Sequence, residues 1–258
     1  MKQYNGEKYI VSFTSFGKRI ELSAFTIWLL RTRQSYQDFH LVMTVHEHDV
    51  PFIGKQMKTL IAANMLEVLV AAEDYGPHLK YFYAMNKYGS DHPIITVDDD
   101  RKYQSDMIEQ LVKKYESLPY KSIVSNCAIK MGRTADGHIT GYPEWIPRRL
   151  KPNEKSYIAM AEGFAGILYP PGVYPDISSH VDDILACKYD DDLFLTTMRI
   201  KHKVPVTQSD IHTEYTEDNN VQEMMQYNLH NNQNAGDINR IKMCKLFEKQ
   251  LLAGFDIR

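Results

Sequence analysis

Ile94-Ile95-Thr96-Val97-Asp98-Asp99-Asp100 is a short β-branched run that ends in three consecutive carboxylates. Its length and composition are those of a strand buried in a parallel sheet. The acids then fall at the strand's carboxyl end, where open α/β sheets bind their ligands. If the chain stays extended, Asp98 and Asp100 leave on one side and Asp99 on the other, toward a backbone group or a basic partner. That spacing suits a hard divalent cation, Mg2+ or Mn2+, whose remaining positions water and substrate phosphates can fill. An acidic turn leading into the next helix reads equally well from these residues alone.

On the amino-terminal side of this run, strand and helix patterns alternate. Tyr9 to Phe13, His40 to Val45 and Leu66 to Val70 read as strands; Leu22 to Arg33, Gly54 to Asn64 and His78 to Tyr88 read as helices. The alternation predicts an α/β fold of Rossmann type, with a mostly parallel sheet and helices on both faces. In the first helix Leu22, Phe25 and Leu29, with Ile27 or Leu30, are expected to face the sheet. Thr14-Ser15-Phe16-Gly17-Lys18-Arg19 follows the first strand and offers hydroxyls, backbone N–H groups and positive charge to a phosphate or base edge; a solvated loop is the plainer reading. Its spacing matches neither the dinucleotide nor the P-loop fingerprint. Lys80, near the start of its helix, can reach a phosphate or remain a solvated lysine.

On the carboxyl side, Ser105 is an expected N-cap for a helix carrying Met107, Ile108, Leu111, Val112 and Tyr115, and Tyr120 to Ser125 is the next strand. From Asn126 to Pro152 glycines and prolines accumulate, which predicts a loosely ordered or substrate-facing loop. Tyr142, Trp145, Arg148 and Arg149 lie there; the aromatic faces suit a sugar ring, and Trp145 suits a packing role as well. The glycines of Ala161 to Pro171 allow either close approach to a ligand or a tight turn. In Asp190-Asp191-Asp192-Leu193-Phe194-Leu195 the acids precede a helical stripe, so one can cap the helix and another face a pocket as a proton acceptor. Val204-Pro205-Val206 reads as an edge-like strand. His212 can complete a metal shell, touch a phosphate or lie on the surface. Residues 237 to 252 read as a closing helix packed through Ile238, Ile241, Leu246 and Leu251.

The 258 residues suffice for one domain with a substantial core. A formal net charge of -3, from 30 basic and 33 acidic residues, gives no support for nucleic-acid binding. Three widely spaced cysteines indicate neither a disulfide framework nor a zinc knuckle, which points to a reducing compartment. With no signal-peptide pattern and no apolar run of membrane-spanning length, the expectation is a cytoplasmic enzyme, with association at the inner face of the membrane left open.

Taken together, Val11 to Arg19, Asp98-Asp99-Asp100, the Gly163 to Pro171 turn and Asp191 to Leu195 resemble nucleotide-sugar glycosyltransferases of the GT-A fold, especially bacterial enzymes of surface polysaccharide synthesis. The resemblance implies a single domain over residues 1–258, with 8–125 binding the nucleotide sugar and 126–258 binding the acceptor and closing the fold. It further implies that Asp98 and Asp100 hold Mn2+ or Mg2+ against the donor diphosphate, Asp100 more directly, with His212 a further candidate ligand. Thr14, Ser15 and Arg19 would line the nucleotide pocket, with Lys80 and Asp99 beside them, and Asp192 or Asp191 would be the base if the reaction inverts the anomeric centre. The implied donor is a nucleoside-diphosphate sugar, a uridine diphosphate sugar first, carrying a hexose or N-acetylhexosamine. The implied acceptor is a saccharide or lipid-linked saccharide. A nucleotidyltransferase or pyrophosphorylase, and an inactive carbohydrate-binding protein, are the competing functions.

Overall fold

The computed structural model describes residues 8–210 and 233–257, with the side chains of 233–239 left aside. In chain order the elements are β1 (Tyr9–Thr14), α1 (Arg19–Leu22), α2 (Ala24–Arg33), β2 (Phe39–His46), α3 (Lys55–Ala62), β3 (Glu67–Ala71), α4 (Leu79–Tyr88), β4 (Ile94–Thr96) and α5 (Met107–Ser117). There follow β5 (Ile123–Ser125), β6 (Ala128–Lys130), β7 (Lys155–Ser156), β8 (Ala159–Ala161), β9 (Ile167–Tyr169), α6 (Val181–Ala186), α7 (Asp191–Lys201), β10 (Val206–Gln208), α8 (Gln233–Leu246) and α9 (Glu248–Ala253).

Eight strands form one sheet in the order β3-β2-β1-β4-β9-β5-β10-β7. The first four are parallel neighbours, β9 runs antiparallel to both β4 and β5, and β10 is parallel to β5. At the centre Ile95 lies opposite Val11 on one side and Leu168 on the other. Val11, Phe13, Ile95 and Leu168 pack with the helices α2 and α5, whereas Ile10, Ile94, Ile167 and Tyr169 pack with α4 and α7. Both faces are covered, which is why these strands read as continuous apolar runs rather than alternating ones. β6 and β8 pair separately as an antiparallel ribbon.

Several local expectations are corrected. The first helix breaks at Ser23 and buries Ala24, Thr26, Ile27 and Leu30, leaving Leu22, Phe25 and Leu29 only partly covered. Its orientation is set by polar anchors: Thr26 of α2 donates its hydroxyl to the Asp99 carbonyl (2.8 Å), and Arg19 of α1 holds the Asp99 carboxylate. α5 starts with Asp106, not Ser105, in the cap position; the Ser105 carbonyl accepts the Ser35 N–H instead. β10 is no edge strand, because β7 covers its outer side.

The stretch from Asn126 to Pro152 is also better ordered than its composition suggests. β6 bridges Arg149 through Ile129, and Trp145 is wholly buried, its ring N–H donating to Thr140 Oγ1 (3.0 Å). Trp145 therefore packs the core and offers no face to a sugar. The closing helix is interrupted at Phe247, so Cys244, Phe247 and Leu251 point inward while Ile241 and Leu246 are 43% and 54% exposed. Ile238 lies among the side chains not described.

Trp145→Ala is expected to lower the unfolding free energy by about 3–5 kcal/mol, the usual cost of emptying a buried aromatic site. Chemical denaturation checks this, and an exposed Trp145 would lose less than about 1 kcal/mol.

Candidate active site

β4 stops at Thr96, so the acidic run is a turn rather than an extended strand end. The Asp98 N–H donates to the Tyr103 hydroxyl (2.8 Å), which bends the chain back toward the sheet. Asp99 turns inward and meets Arg19 through both carboxylate oxygens, one of them at 3.2 Å from Nε. Arg19 also lies 3.3 Å from Asp100 Oδ2. Burial opposes the charge on Arg19, but Asp99 and then Asp100 outweigh it and raise its proton affinity. Asp98 keeps 27% of its side chain exposed, the most open of the three.

The loop after β1 lies beside this turn. The Thr14 hydroxyl is committed to the Thr44 carbonyl (2.7 Å), and Ser15 is buried. Gly17 takes a left-handed φ of +51° and donates its N–H to Asp49 Oδ1 (2.9 Å), a conformation in which a side chain would be strained. Of the expected nucleotide-loop residues, Thr14 and Arg19 thus have their polar groups paired within the protein.

Lys80 joins the two acidic runs. Its ammonium lies 3.1 Å from Asp98 Oδ1 and 2.9 Å from Asp191 Oδ2, buried beneath both. Two contacts hold the start of α4 in place. Ser12 donates to the Lys80 carbonyl (2.7 Å), and His78 Nε2–H donates to the Cys187 carbonyl (2.9 Å) in the loop before α7. Burial opposes the charge on Lys80, but Asp191 first and Asp98 next raise its proton affinity well above normal, so the side chain is an ammonium.

The three aspartates before α7 have different surroundings. Asp190 caps the helix by accepting the Leu193 N–H (3.2 Å) and is gripped by Arg240 through two bonds of 2.8 Å. Burial raises the proton affinity of Asp191, yet the Lys80 ammonium brings it below the ordinary range. Asp192 keeps 16% of its side chain exposed and accepts the Gly163 N–H at 3.0 and 3.1 Å. Burial, then the neighbouring Asp191 charge, push its carboxyl well above the ordinary range. Adjacent carboxyls held apart in this way are suited to different proton-transfer roles.

The sequence-predicted residues fall in neighbouring groups, Arg19 with Asp99 and Asp100, Lys80 with Asp98 and Asp191, and Asp192 on the Gly163 N–H, whereas His212 lies outside the described residues. Among the described residues no group of three or more His, Cys, Asp or Glu side chains is arranged to hold a metal ion. Sequence reasoning missed Arg240 and Tyr103. Arg240 lies fifty positions from Asp190 in a helix without a motif, and no local pattern marks it.

No family model and no curated protein matches the sequence. Among solved structures the chain is similar to residues 1–349 of S. aureus TarS in complex with UDP, with a TM-score of 0.51, 14% identity and coverage of 85% of this chain and 63% of that one. A second TarS structure gives the same TM-score and identity with 64% of its chain covered. HddC from Yersinia pseudotuberculosis overlaps at a TM-score of 0.38 and 10% identity over 65% of this chain and 79% of its own. The chain spans less than two thirds of the TarS structures it matches. At this identity the likeness is one of fold: the chain has the GT-A-like mixed α/β architecture of TarS. No helix among the described residues is long and apolar enough to cross a membrane.

A Cβ on Gly163 would stand 2.9 Å from both Asp192 Oδ1 and Lys80 Nζ, the movable ends of two side chains. Gly163→Ala is therefore expected to overpack a buried contact and cost about 1–3 kcal/mol, read by thermal melting. It should also displace both groups, read as at least a tenfold loss in turnover or nucleotide affinity. In contrast, Arg19→Met strands the buried Asp99 carboxylate and should cost about 3–5 kcal/mol in a denaturation experiment.

Proposed function

We propose that the protein transfers a hexose or N-acetylhexosamine from a nucleoside-diphosphate sugar to a saccharide or lipid-linked saccharide, with inversion at the anomeric carbon, in surface polysaccharide synthesis. The observation that carries this reading is the Lys80 bridge, which brings an open carboxylate after β4 to the start of α7 at the carboxyl end of the central strands. TarS, which shares the fold, was solved with UDP, and this favours a uridine diphosphate donor for the first assays.

The donor set is compatible with a divalent cation. Asp98 and Asp100 offer two carboxylates at the turn after β4, with Lys80 beside one and Arg19 beside the other. Burial, then Asp98, raise the proton affinity of Asp100. Asp98 and Asp100 are the residues that would hold Mn2+ or Mg2+, leaving other positions to substrate phosphates and water. The bound cation would supply positive charge against the departing diphosphate.

Lys80 lends its buried ammonium to the same diphosphate while holding Asp191 ionised. Asp192 takes the proton of the acceptor hydroxyl as its oxygen attacks the anomeric carbon and the bond from that carbon to the diphosphate oxygen breaks. Asp191, tied to Lys80, is poorly suited to accept a proton. This division of roles makes Asp192 the base.

Transfer and donor hydrolysis assayed across uridine, guanosine and thymidine diphosphate sugars, with and without Mn2+, should show one donor class turned over and the rate dependent on the cation. Turnover of a nucleoside triphosphate with a sugar phosphate instead would establish a nucleotidyltransferase. Asp192→Asn should reduce transfer by about 10^2- to 10^4-fold with donor affinity within about twofold of wild type; unchanged transfer would remove Asp192 from the mechanism.

The base must be ionised, and its proton affinity in the free enzyme is raised. The catalytic form is therefore gained as pH rises, and kcat/KM should climb through a limb above the ordinary aspartate value of about 4. A profile with no rise above pH about 4, with other groups constant, contradicts this assignment.

A further inference from the structure

Arg240 of α8 closes a ring of contacts around Asp192. Its guanidinium grips Asp190 with two bonds of 2.8 Å, lies 4.0 Å from Asp192 Oδ2, and stacks 4.5 Å over the Tyr142 ring. Tyr142 donates its hydroxyl to Glu162, whose other carboxylate oxygen accepts the Cys127 thiol at 3.1 Å. The next peptide N–H, that of Gly163, binds both oxygens of Asp192. The ring thus runs from Arg240 through Tyr142, Glu162 and Gly163 to Asp192 and back to Arg240.

We infer that Arg240 is a positioning residue through which α8 sets the carboxylate of Asp192 for transfer. This rests on the reading of Asp192 as the base. Arg240 does not itself meet the substrate in this assignment: its paired nitrogens are occupied by Asp190, and one face of Tyr142 is covered by the guanidinium. The assignment also gives Tyr142 a structural part, since its hydroxyl holds the segment that presents the Gly163 N–H. The geometry explains why a single cation serves two neighbouring aspartates. Asp190 receives the bidentate bond that anchors α8 to the N-terminus of α7, and Asp192 receives the longer-range attraction that orients its free edge.

A side chain with the charge but not the fork separates these effects. Lysine keeps the positive charge near Asp192 and Asp190 but cannot make the paired bonds that fix its direction. Glutamine keeps a hydrogen-bonding end group but is shorter and removes the charge.

The experiment compares Arg240→Lys and Arg240→Gln with Asp192→Asn in the full chain. It measures kcat and acceptor KM for transfer, UDP binding by calorimetry, and thermal melting. Arg240→Gln is expected to lower kcat at least tenfold with UDP affinity within about twofold, and Arg240→Lys to recover part of that loss. The residual kcat is to be normalised to the folded fraction from melting, so a variant that merely unfolds lowers active-site concentration and UDP-binding stoichiometry together. If Asp192→Asn abolishes transfer but Arg240→Gln retains the wild-type kcat, the positioning role is wrong while the base stands. Equal loss of UDP binding and transfer in folded Arg240→Gln protein also overturns it, because the defect then lies on the donor side. If Asp192→Asn retains full transfer, the reading of the base fails, and the Arg240 assignment fails with it.

Discussion

Lys80 carries a positive charge into a buried space between Asp98 and Asp191, and the arrangement of the site follows from that charge. A lone ammonium at this depth would be expelled or neutralised, and a lone carboxylate likewise. Their mutual compensation requires the turn after β4, the start of α4 and the start of α7 to stay together. Ser12 and His78 supply the neutral hydrogen bonds that hold α4 where the charge can serve both acids. His78 does so as a neutral ring: burial first lowers its proton affinity, in keeping with one N–H donor and one acceptor nitrogen facing the Tyr81 hydroxyl.

A second compensated charge supports the other side of the acidic turn. Arg19 and Asp99 are both buried, so their pairing matters less as a source of net stability than as a constraint on where their elements lie. The same turn accepts the Thr26 hydroxyl at its backbone, which commits α2 to one face. Polar geometry at the end of a central strand thereby determines which apolar residues of a neighbouring helix enter the core. Asp99 organises the protein, whereas Asp98 pairs with Lys80 and keeps the most exposed side chain of the three.

The acids before α7 show how adjacent residues of one type acquire different chemistry. Asp190 is a helix cap held by Arg240, Asp191 is a counterion of Lys80, and Asp192 has a backbone donor and a partly exposed edge. Their differences arise from partners contributed by α4, α8 and the Gly163 turn. In a low-dielectric setting such partners move a carboxyl's proton affinity in opposite directions over one residue of chain.

The strand patterns around Ile94, the helical stripes between them and the positions of both aspartate runs are local properties, and they were legible because a strand buried on both faces must be apolar along its length. Acids directly after such a strand, or before a helical stripe, also declare themselves locally. The roles within each run were not legible: Asp99 acquires its partner from Arg19, and Asp190 from Arg240, through contacts far apart in sequence. The inward face of α2 escaped for a related reason, since its two apolar stripes are similar and the anchor choosing between them is the carbonyl of Asp99. Trp145 read as a sugar platform or as a packing residue, and its burial decides for packing. Sequence by itself therefore determined the order of elements and the supply of acids, because both follow from side-chain period and local chain direction. Only the tertiary structure decided which carboxylate is a strut, which a counterion and which keeps an exposed edge, because burial and distant opposite charges set those differences.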